Sequence, residues 1–388
     1  GCSIMSELKV DTIVNLAGSG KPNLPVSPTL GGAAISAANT YSYTSSGTEP
    51  SSPKNGALWW DSTNNKVKVY IAGEFKEVTL NASAATNNAW SGDRGIAAGS
   101  SGTPNEIQRF DITTQGNSVD FGDLLNNTTT YFNSTGSSAR TLFMGGWDSG
   151  AGARSNVIQY VTPSSPGNAT DFGDLTLARS AVKGATSNGT IACFSGGLYG
   201  GGYFTNTIDY VTVANTGNAT DFGDTVIAEP ARGTQGTVGD ATRGLFANAA
   251  GNSDRNIDYF TYASPGNATD FGDLVLYGGQ AAGCSDATRT VFSGGRDGAS
   301  SGSTNQMCYV TTQTTGNAVD FGNLTFQSEY SLAAVANATR GVSFGGKVSS
   351  SATTNMDFYT IQTAANAADF ADLVNALAVA VGSSGAAS

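Results

Sequence analysis

The sequence has no histidine in 388 residues. That absence excludes Ser-His-Asp and Cys-His nucleophile chemistry, histidine general bases and histidine metal ligands together. Charge is scarce too, at 13% of residues, about half the ~25% of soluble domains. Nineteen basic against 30 acidic residues leave −11, with a pI near 4.4. Such a chain has no sequence-independent grip on phosphate backbones, so neither nucleic acid nor membrane insertion is expected. The cysteines are Cys2, Cys193, Cys284 and Cys308. They form no C-x-x-C pair and read as buried free thiols. The longest apolar run near the end, 373–381, is broken by Asn375 and falls far short of the ~20 residues of a membrane span. The first residues have no signal-peptide pattern, and Met5 is an alternative start.

What is abundant is glycine, 51 residues or roughly twice the usual ~7%, beside 39% hydrophobic residues. That balance indicates an all-β, turn-rich protein. A repeat accounts for most of it. Asp-Phe recurs with Phe121, Phe172, Phe222, Phe271, Phe321 and Phe370, at steps of 51, 50, 49, 50 and 49 residues. A second anchor lies upstream, as in Asn206-Thr207-Ile208-Asp209-Tyr210 and Asn256-Ile257-Asp258-Tyr259. Before it stands an apolar run that often follows Arg and ends in Gly-Gly, as at 289–295 and 340–346. Each copy reads as four short strands: one before the Arg, as at 180–182, then 190–195, 208–213 and the segment around Phe222. Thr-Gly-Asn and Pro-Gly-Asn triplets supply tight turns. Four strands in about 50 residues make a propeller blade, and six blades occupy the chain from about 94 onward. Residues 374–384 match 176–186 and predict an innermost strand that closes the ring on the first blade, with 84–90 as competitor. Loss of 374–388 is then expected to prevent folding.

The pattern resembles the Kelch family: a Gly-Gly pair ends the second strand, and aromatics follow in the third and fourth, here Gly196-Gly197, Tyr210 and Phe222. Phe replaces the usual Kelch Trp, inside Asp-Phe-Gly-Asp-Leu. The resemblance implies a six-bladed Kelch-like β-propeller whose repeated Phe fills the wedge between blades.

Residues 1–40 lack periodicity and read as an extended arm that orders on a partner. Residues 41–80 read as a β-hairpin or three-stranded meander around Trp59, Trp60, Tyr70 and Phe75. The propeller takes 81–388. The segments Leu8-Lys9-Val10-Asp11-Thr12-Ile13 and Gly56-Ala57-Leu58-Trp59-Trp60-Asp61-Ser62 resemble the N-terminal parts of tailed-bacteriophage fibre and appendage proteins. The Gly-Asn-Ala-Thr-Asp-Phe-Gly-Asp-Leu repeats look like structural proteins of marine phages, including those of cyanobacteria. This implies an arm that docks on other virion proteins through Leu8, Val10 and Ile13, a homo-oligomer in the particle, and a location on the virion, at tail or capsid surface.

The repeats hold eleven of the 30 acidic residues. Calcium loops from Asn168, Asp171 and Asp174 are one reading. Turn capping is preferred, because Glu is absent from the motif and calcium needs more oxygens. No cofactor or metal site is assigned. Asp-Phe-Gly also occurs in kinases, but six tandem copies without a nucleotide loop reject that reading. Acids at equivalent positions of successive blades suggest structure rather than the facing carboxylates of glycoside hydrolysis. A true site breaks the repeat. The irregular segments are the loops after the glycine pairs, which contain Trp147, Arg154, Tyr199, Tyr203 and Arg296. Aromatics on variable loops suit sugar stacking, with plain solvated loops as the alternative. The expectation is a non-enzymatic virion protein presenting the propeller to a host glycan. A ligand-free structural or decoration protein and a carbohydrate-active enzyme are the alternatives.

Overall fold

The computed structural model describes residues 29–30, 33–34, 43–77 apart from 54–56, 62, 64–65 and 72, and 91–387 apart from 101–104, 126–127, 131, 183, 228–237, 248–254, 276–280, 298–301, 329–331 and 350. Leu8, Val10, Ile13 and the segment 84–90 lie outside them. The chain divides into two compact units, Gly1–Ser83 and Ala84–Ser388.

The first unit contains a four-stranded sheet ordered Tyr43–Ser46, Leu58–Asp61, Lys66–Ile71, Glu74–Glu77. The last three strands are an antiparallel meander. Tyr43–Ser46 adds a fourth strand, parallel to Leu58–Asp61, across a connection rich in Gly, Pro and Ser. Trp59 holds it by donating from Nε1 to Ser46 O at 3.1 Å. The buried Trp59 ring meets Phe75 edge-on at 5.2 Å, and Phe75 meets Tyr70 at 5.1 Å. Lys68 Nζ lies 4.5 Å above Trp59 and 2.9 Å from Asp61 Oδ2, so the ammonium serves both a ring and a carboxylate.

The second unit is all-β, a six-bladed propeller. Strands are numbered outward from the axis. Blade 2 comprises Asn133–Gly136, Thr141–Met144, Val157–Val161 and Thr170–Asp174; blade 3 comprises Gly184–Ser187, Ile191–Ser195, Thr207–Thr212 and Thr220–Asp224. Blade 4 has Arg243–Ala247, Asn256–Thr261 and Thr269–Asp273, with Gly239 bridged to Gly244 on the axial side. Blade 5 has Ala282–Ser285, Arg289–Ser293, Gly302–Thr311 and Val319–Ser328; blade 6 has Ala333–Ala336, Arg340–Phe344, Ser351–Thr360 and Ala368–Leu377. Blade 1 joins distant parts of the chain. Val379–Gly385 pairs antiparallel with Arg94–Ser100, followed outward by Glu106–Asp111 and Val119–Asp123.

The first strands are built of small residues, such as Gly-Ala-Thr-Ser at 184–187 and Ala-Ala-Val-Ala at 333–336, and all are buried. Five first strands among the described residues converge on one axis, so space there selects Gly, Ala, Ser and Thr. A cavity of about 10 Å³ beside Ser285, Ala336 and Ser384 has room for about one water. The first strand of blade 3 therefore begins at Gly184, and the strand expected at 180–182 is irregular chain with Ala181 at φ +55°.

Between blades lie six hydrophobic clusters, and each contains one repeat phenylalanine. Phe121, Phe172, Phe222, Phe271, Phe321 and Phe370 are all at most 3% exposed. A β-bulge aims them inward: Ile158 pairs with Gly173 and Gln159 with Asp171, leaving Phe172 as the extra residue. Phe222 meets Phe260 of the next blade at 4.9 Å, and Phe321 meets Tyr359 at 5.6 Å. Burial of one such ring contributes ~1.5–3 kcal/mol.

The outer edges are also tied together. The Asn three residues before each Asp-Phe accepts the backbone N–H that follows the glycine of the preceding blade, or that follows Ala371 in blade 6. Asp123 donates to Asn168, Asp174 to Asn218, Asp224 to Asn267, Asp273 to Asn317, Asn323 to Asn366 and Asp372 to Asn117, all at 3.0–3.2 Å. The reverse bonds run from Ala169 N–H to Asp123 O at 2.8 Å and from Ser118 N–H to Asp372 O at 3.0 Å, with equivalents at the other junctions. The edge groups of each fourth strand thus gain partners.

Candidate functional site

The connections between second and third strands, and between fourth strands and the next blade, lie on one face of the propeller. Here the repeat breaks. In blade 2, Trp147–Asp148 pairs with Ala153–Arg154 as a short ribbon, and Thr128–Thr130 pairs along its other side. Asp148 Oδ1 accepts Gly150 N–H at 2.8 Å and Ala151 N–H at 3.1 Å, and Gly152 at φ +61° completes the turn. Arg154 thereby faces Trp147, with its guanidinium 5.9 Å from the ring centre. The buried Arg154 Nε has no hydrogen-bond partner among the described residues.

In blade 3 the loop runs through a 3₁₀ turn at Gly200–Gly202, closed by Tyr199 N–H to Tyr203 O at 2.9 Å. The Tyr199 and Tyr203 rings stand 6.1 Å apart, and Tyr203 is 65% exposed. Gly201 has φ +77°, and a Cβ there would press on the Tyr203 ring, so glycine sets the ring's position.

The chain between blades 2 and 3 pins these two loops to each other. Gly146 N–H donates to Arg179 O at 2.9 Å and Arg179 N–H to Ser155 O at 3.0 Å. Ser180 and Leu198 exchange both backbone bonds, at 2.9 and 2.7 Å. The Arg179 side chain is fully buried. Its Nη2 lies 3.0 Å from Asp209 Oδ2, and its Nη1 donates to Thr207 O at 3.2 Å. Burial lowers the Arg179 pKa, and Asp209 opposes that shift. Asp209 also accepts Thr176 N–H at 3.1 Å and Thr176 Oγ1–H at 2.6 Å.

Asp209 is one of six buried third-strand residues: Gln108, Gln159, Asp209, Asp258, Cys308 and Asp357. Several latch the preceding blade. Gln159 Oε1 accepts Leu125 N–H at 2.6 Å, Asp258 accepts Val226 N–H at 3.0 Å, and Asp357 accepts Thr325 N–H at 2.6 Å. Only the signal of a polar residue recurring inside an alternating strand marks this latch in the sequence. Arg179 is marked by mismatch, since the repeat alignment sets it against the buried Leu377. Leu377 O accepts Gly346 N–H at 2.8 Å, as Arg179 O accepts Gly146 N–H.

The structure therefore places Trp147, Arg154, Tyr199 and Tyr203 on adjoining loops of neighbouring blades. Arg296 stands in a short ribbon of blade 5, which adjoins neither, with its backbone paired to Ser303. Asp171 and Asp174, expected as turn-capping residues, stand instead within the strand Thr170–Asp174, and Asn168 directs its oxygen to Asp123 N–H of the preceding blade. Among the described residues, no three His, Cys, Asp or Glu side chains gather as a metal site.

No protein-family model matches the chain, and no curated protein matches it. Among solved structures, that of YjhT is similar at 10% identity, with a TM-score of 0.54, covering 71% of this chain and 95% of that one. This likeness is one of fold.

Proposed function

We propose that this chain is a non-enzymatic structural protein of a tailed-phage virion, a fibre or appendage. It docks on other virion proteins through residues 1–40, gathers as a homo-oligomer in the particle, and presents the propeller outward to a glycan of the host surface. The observation that carries the binding part of this reading is the aromatic pair of loops at 147–154 and 198–204, knitted together through Arg179. Sugars bind by laying apolar ring faces on aromatic rings while polar groups fix their hydroxyls. Trp147 with Arg154 and Tyr199 with Tyr203 supply both kinds of contact on a rigid ring. The virion part rests on the resemblance of the Leu8–Ile13 and Gly56–Ser62 segments to phage appendage proteins.

A glycan array probed with the full chain tests the binding. Selective binding is expected, with at least tenfold loss in Trp147→Ala and Tyr203→Ala. Equal binding by both variants refutes the site. No binding by the full chain favours a structural or decoration role, and release of sugar products from a bound glycan favours an enzyme.

A further inference from the structure

Blade 1 departs from the repeat on the opposite face, where first strands turn into second strands. In four blades an arginine next to that turn lies over the aromatic of the third strand. Arg140 stands 4.6 Å from the Tyr160 centroid, Arg243 4.6 Å from Tyr259, Arg289 4.0 Å from Tyr309 and Arg340 4.8 Å from Phe358. Each also donates to a carbonyl of the next blade, as Arg140 does to Val213 O at 3.0 Å and Arg289 to Ile361 O at 3.0 Å. Blade 1 keeps the arginine, Arg94, which donates to Pro163 O at 2.7 Å. Its third-strand aromatic, however, is replaced by Arg109.

Two guanidinium-bearing side chains thus meet where the other blades place one over a ring. They line a cleft of about 170 Å³ together with Asp93, Asp111, Asn117 and Val119. The two carboxylates have other work. Asp111 Oδ1 caps its own turn, accepting Thr113 N–H at 2.8 Å and Thr114 N–H at 3.2 Å. Asp93 Oδ1 accepts Asn337 Nδ2–H at 3.0 Å. Asn117 spends its oxygen on Asp372 N–H, which leaves its amide as donor. The buried Arg109 Nε has no hydrogen-bond partner among the described residues. The Arg94 pKa is lowered, first by burial and then by Arg109, and Asp111 only partly opposes this.

We propose that this cleft binds the oxyanion group of a ligand, a sulfate, phosphate or carboxylate, between Arg94 and Arg109. Planar guanidinium groups match such oxygens two at a time, and charge-assisted bonds are the stronger kind. An anion there relieves the repulsion of two like charges. Val119, 48% exposed, offers an apolar edge for the body that carries the anion.

The test is a thermal melt of the full chain in sodium sulfate, phosphate or glucuronate, each against chloride at matched ionic strength. A saturable rise in Tm with at least one of the three is expected, and which one responds identifies the source of the oxyanion. Arg109→Tyr gives blade 1 the residue of blades 2–5, so it is expected to fold and to lose at least tenfold in anion affinity. Arg109→Gln, which keeps a polar side chain without the charge, is expected to lose it as well. The proposal is overturned if no anion exceeds chloride in the unsubstituted chain, or if both variants retain the response.

Discussion

Arg179 offers the sharpest test of how the two aromatic loops are held. Its guanidinium and the Asp209 carboxylate are both fully buried, 3.0 Å apart. Replacing Arg179 by Leu removes one partner and strands the other. Breaking such a pair costs about 3–5 kcal/mol, because a buried charge is left uncompensated. The carbonyls of Thr207 and Phe194 lose donors in the same step. For a unit of this size each kcal/mol lowers Tm by roughly 2 °C, so Arg179→Leu is expected to melt about 6–10 °C lower by calorimetry. The protein itself contains the rescue. At the junction of blades 6 and 1, the equivalent positions are Leu377 and Gln108, a neutral pair. Gln is competent as a latch, since Gln159 Oε1 accepts Leu125 N–H at 2.6 Å. The double variant Arg179→Leu/Asp209→Gln is therefore expected within about 1–2 kcal/mol of the parent, the remainder being the two carbonyls. A double-mutant cycle reads the coupling directly. If Arg179→Leu alone melts with the parent, or if the double variant melts no higher than the single one, the ion pair does not hold the loops as argued.

Two other outcomes follow from the latch and the outer edge. Burial raises the Asp357 pKa above its ordinary 3.8, more than the Thr325 bonds lower it, with Asp369 adding to the rise. The folded state then holds this proton to higher pH than the unfolded chain, so its contribution to stability falls as pH climbs from about 3.8 to the raised value and stays low above it. Asp357→Asn should be relatively more stable at pH 7 than at pH 3.5 in urea titrations; a constant difference across that range would contradict the assignment. Gly173, at φ +149°, leaves no room for a Cβ against Gly217 O of the next blade. Gly173→Ala is expected to cost about 1–3 kcal/mol in the same assay, and a neutral result would mean that the junction yields there as it does at Ala371.

The propeller was legible because one large ring recurs at a nearly constant spacing and must be buried each time. Phe172 and its equivalents carry that signal. The first strands were less legible. At 184–187 and 282–285 they are Gly-Ala-Thr-Ser and Ala-Gly-Cys-Ser, enclosed on every side by neighbouring blades. Alternation marks a strand with one wet face, and these have none, so alternation points to 180–182 instead of 184–187. The aromatic loops were found as gaps in the repeat, but spacing alone has no means of showing that Trp147 would meet Arg154 or that Arg296 would stand apart. Arg179, Asp209 and Arg109 were harder still. Each is a single substitution inside a conforming strand or connection, and its partner comes from another segment. The parallel strand Tyr43–Ser46 illustrates the same limit, since turn residues such as Pro50 and Pro53 mark a break in the chain but not a parallel pairing to Leu58–Asp61.

The pairing of Val379–Gly385 with Arg94–Ser100 has a consequence for how the protein is made. Blade 1 is the first to leave the ribosome and the last to be completed. Through the synthesis of five blades, Arg94–Ser100 waits with an unpaired edge, and the neighbour it will finally take emerges nearly a full ring later. Closure of the circle thus waits for the last strand of the ring, and during elongation the nascent chain exposes a strand edge that other nascent chains on the same message could capture.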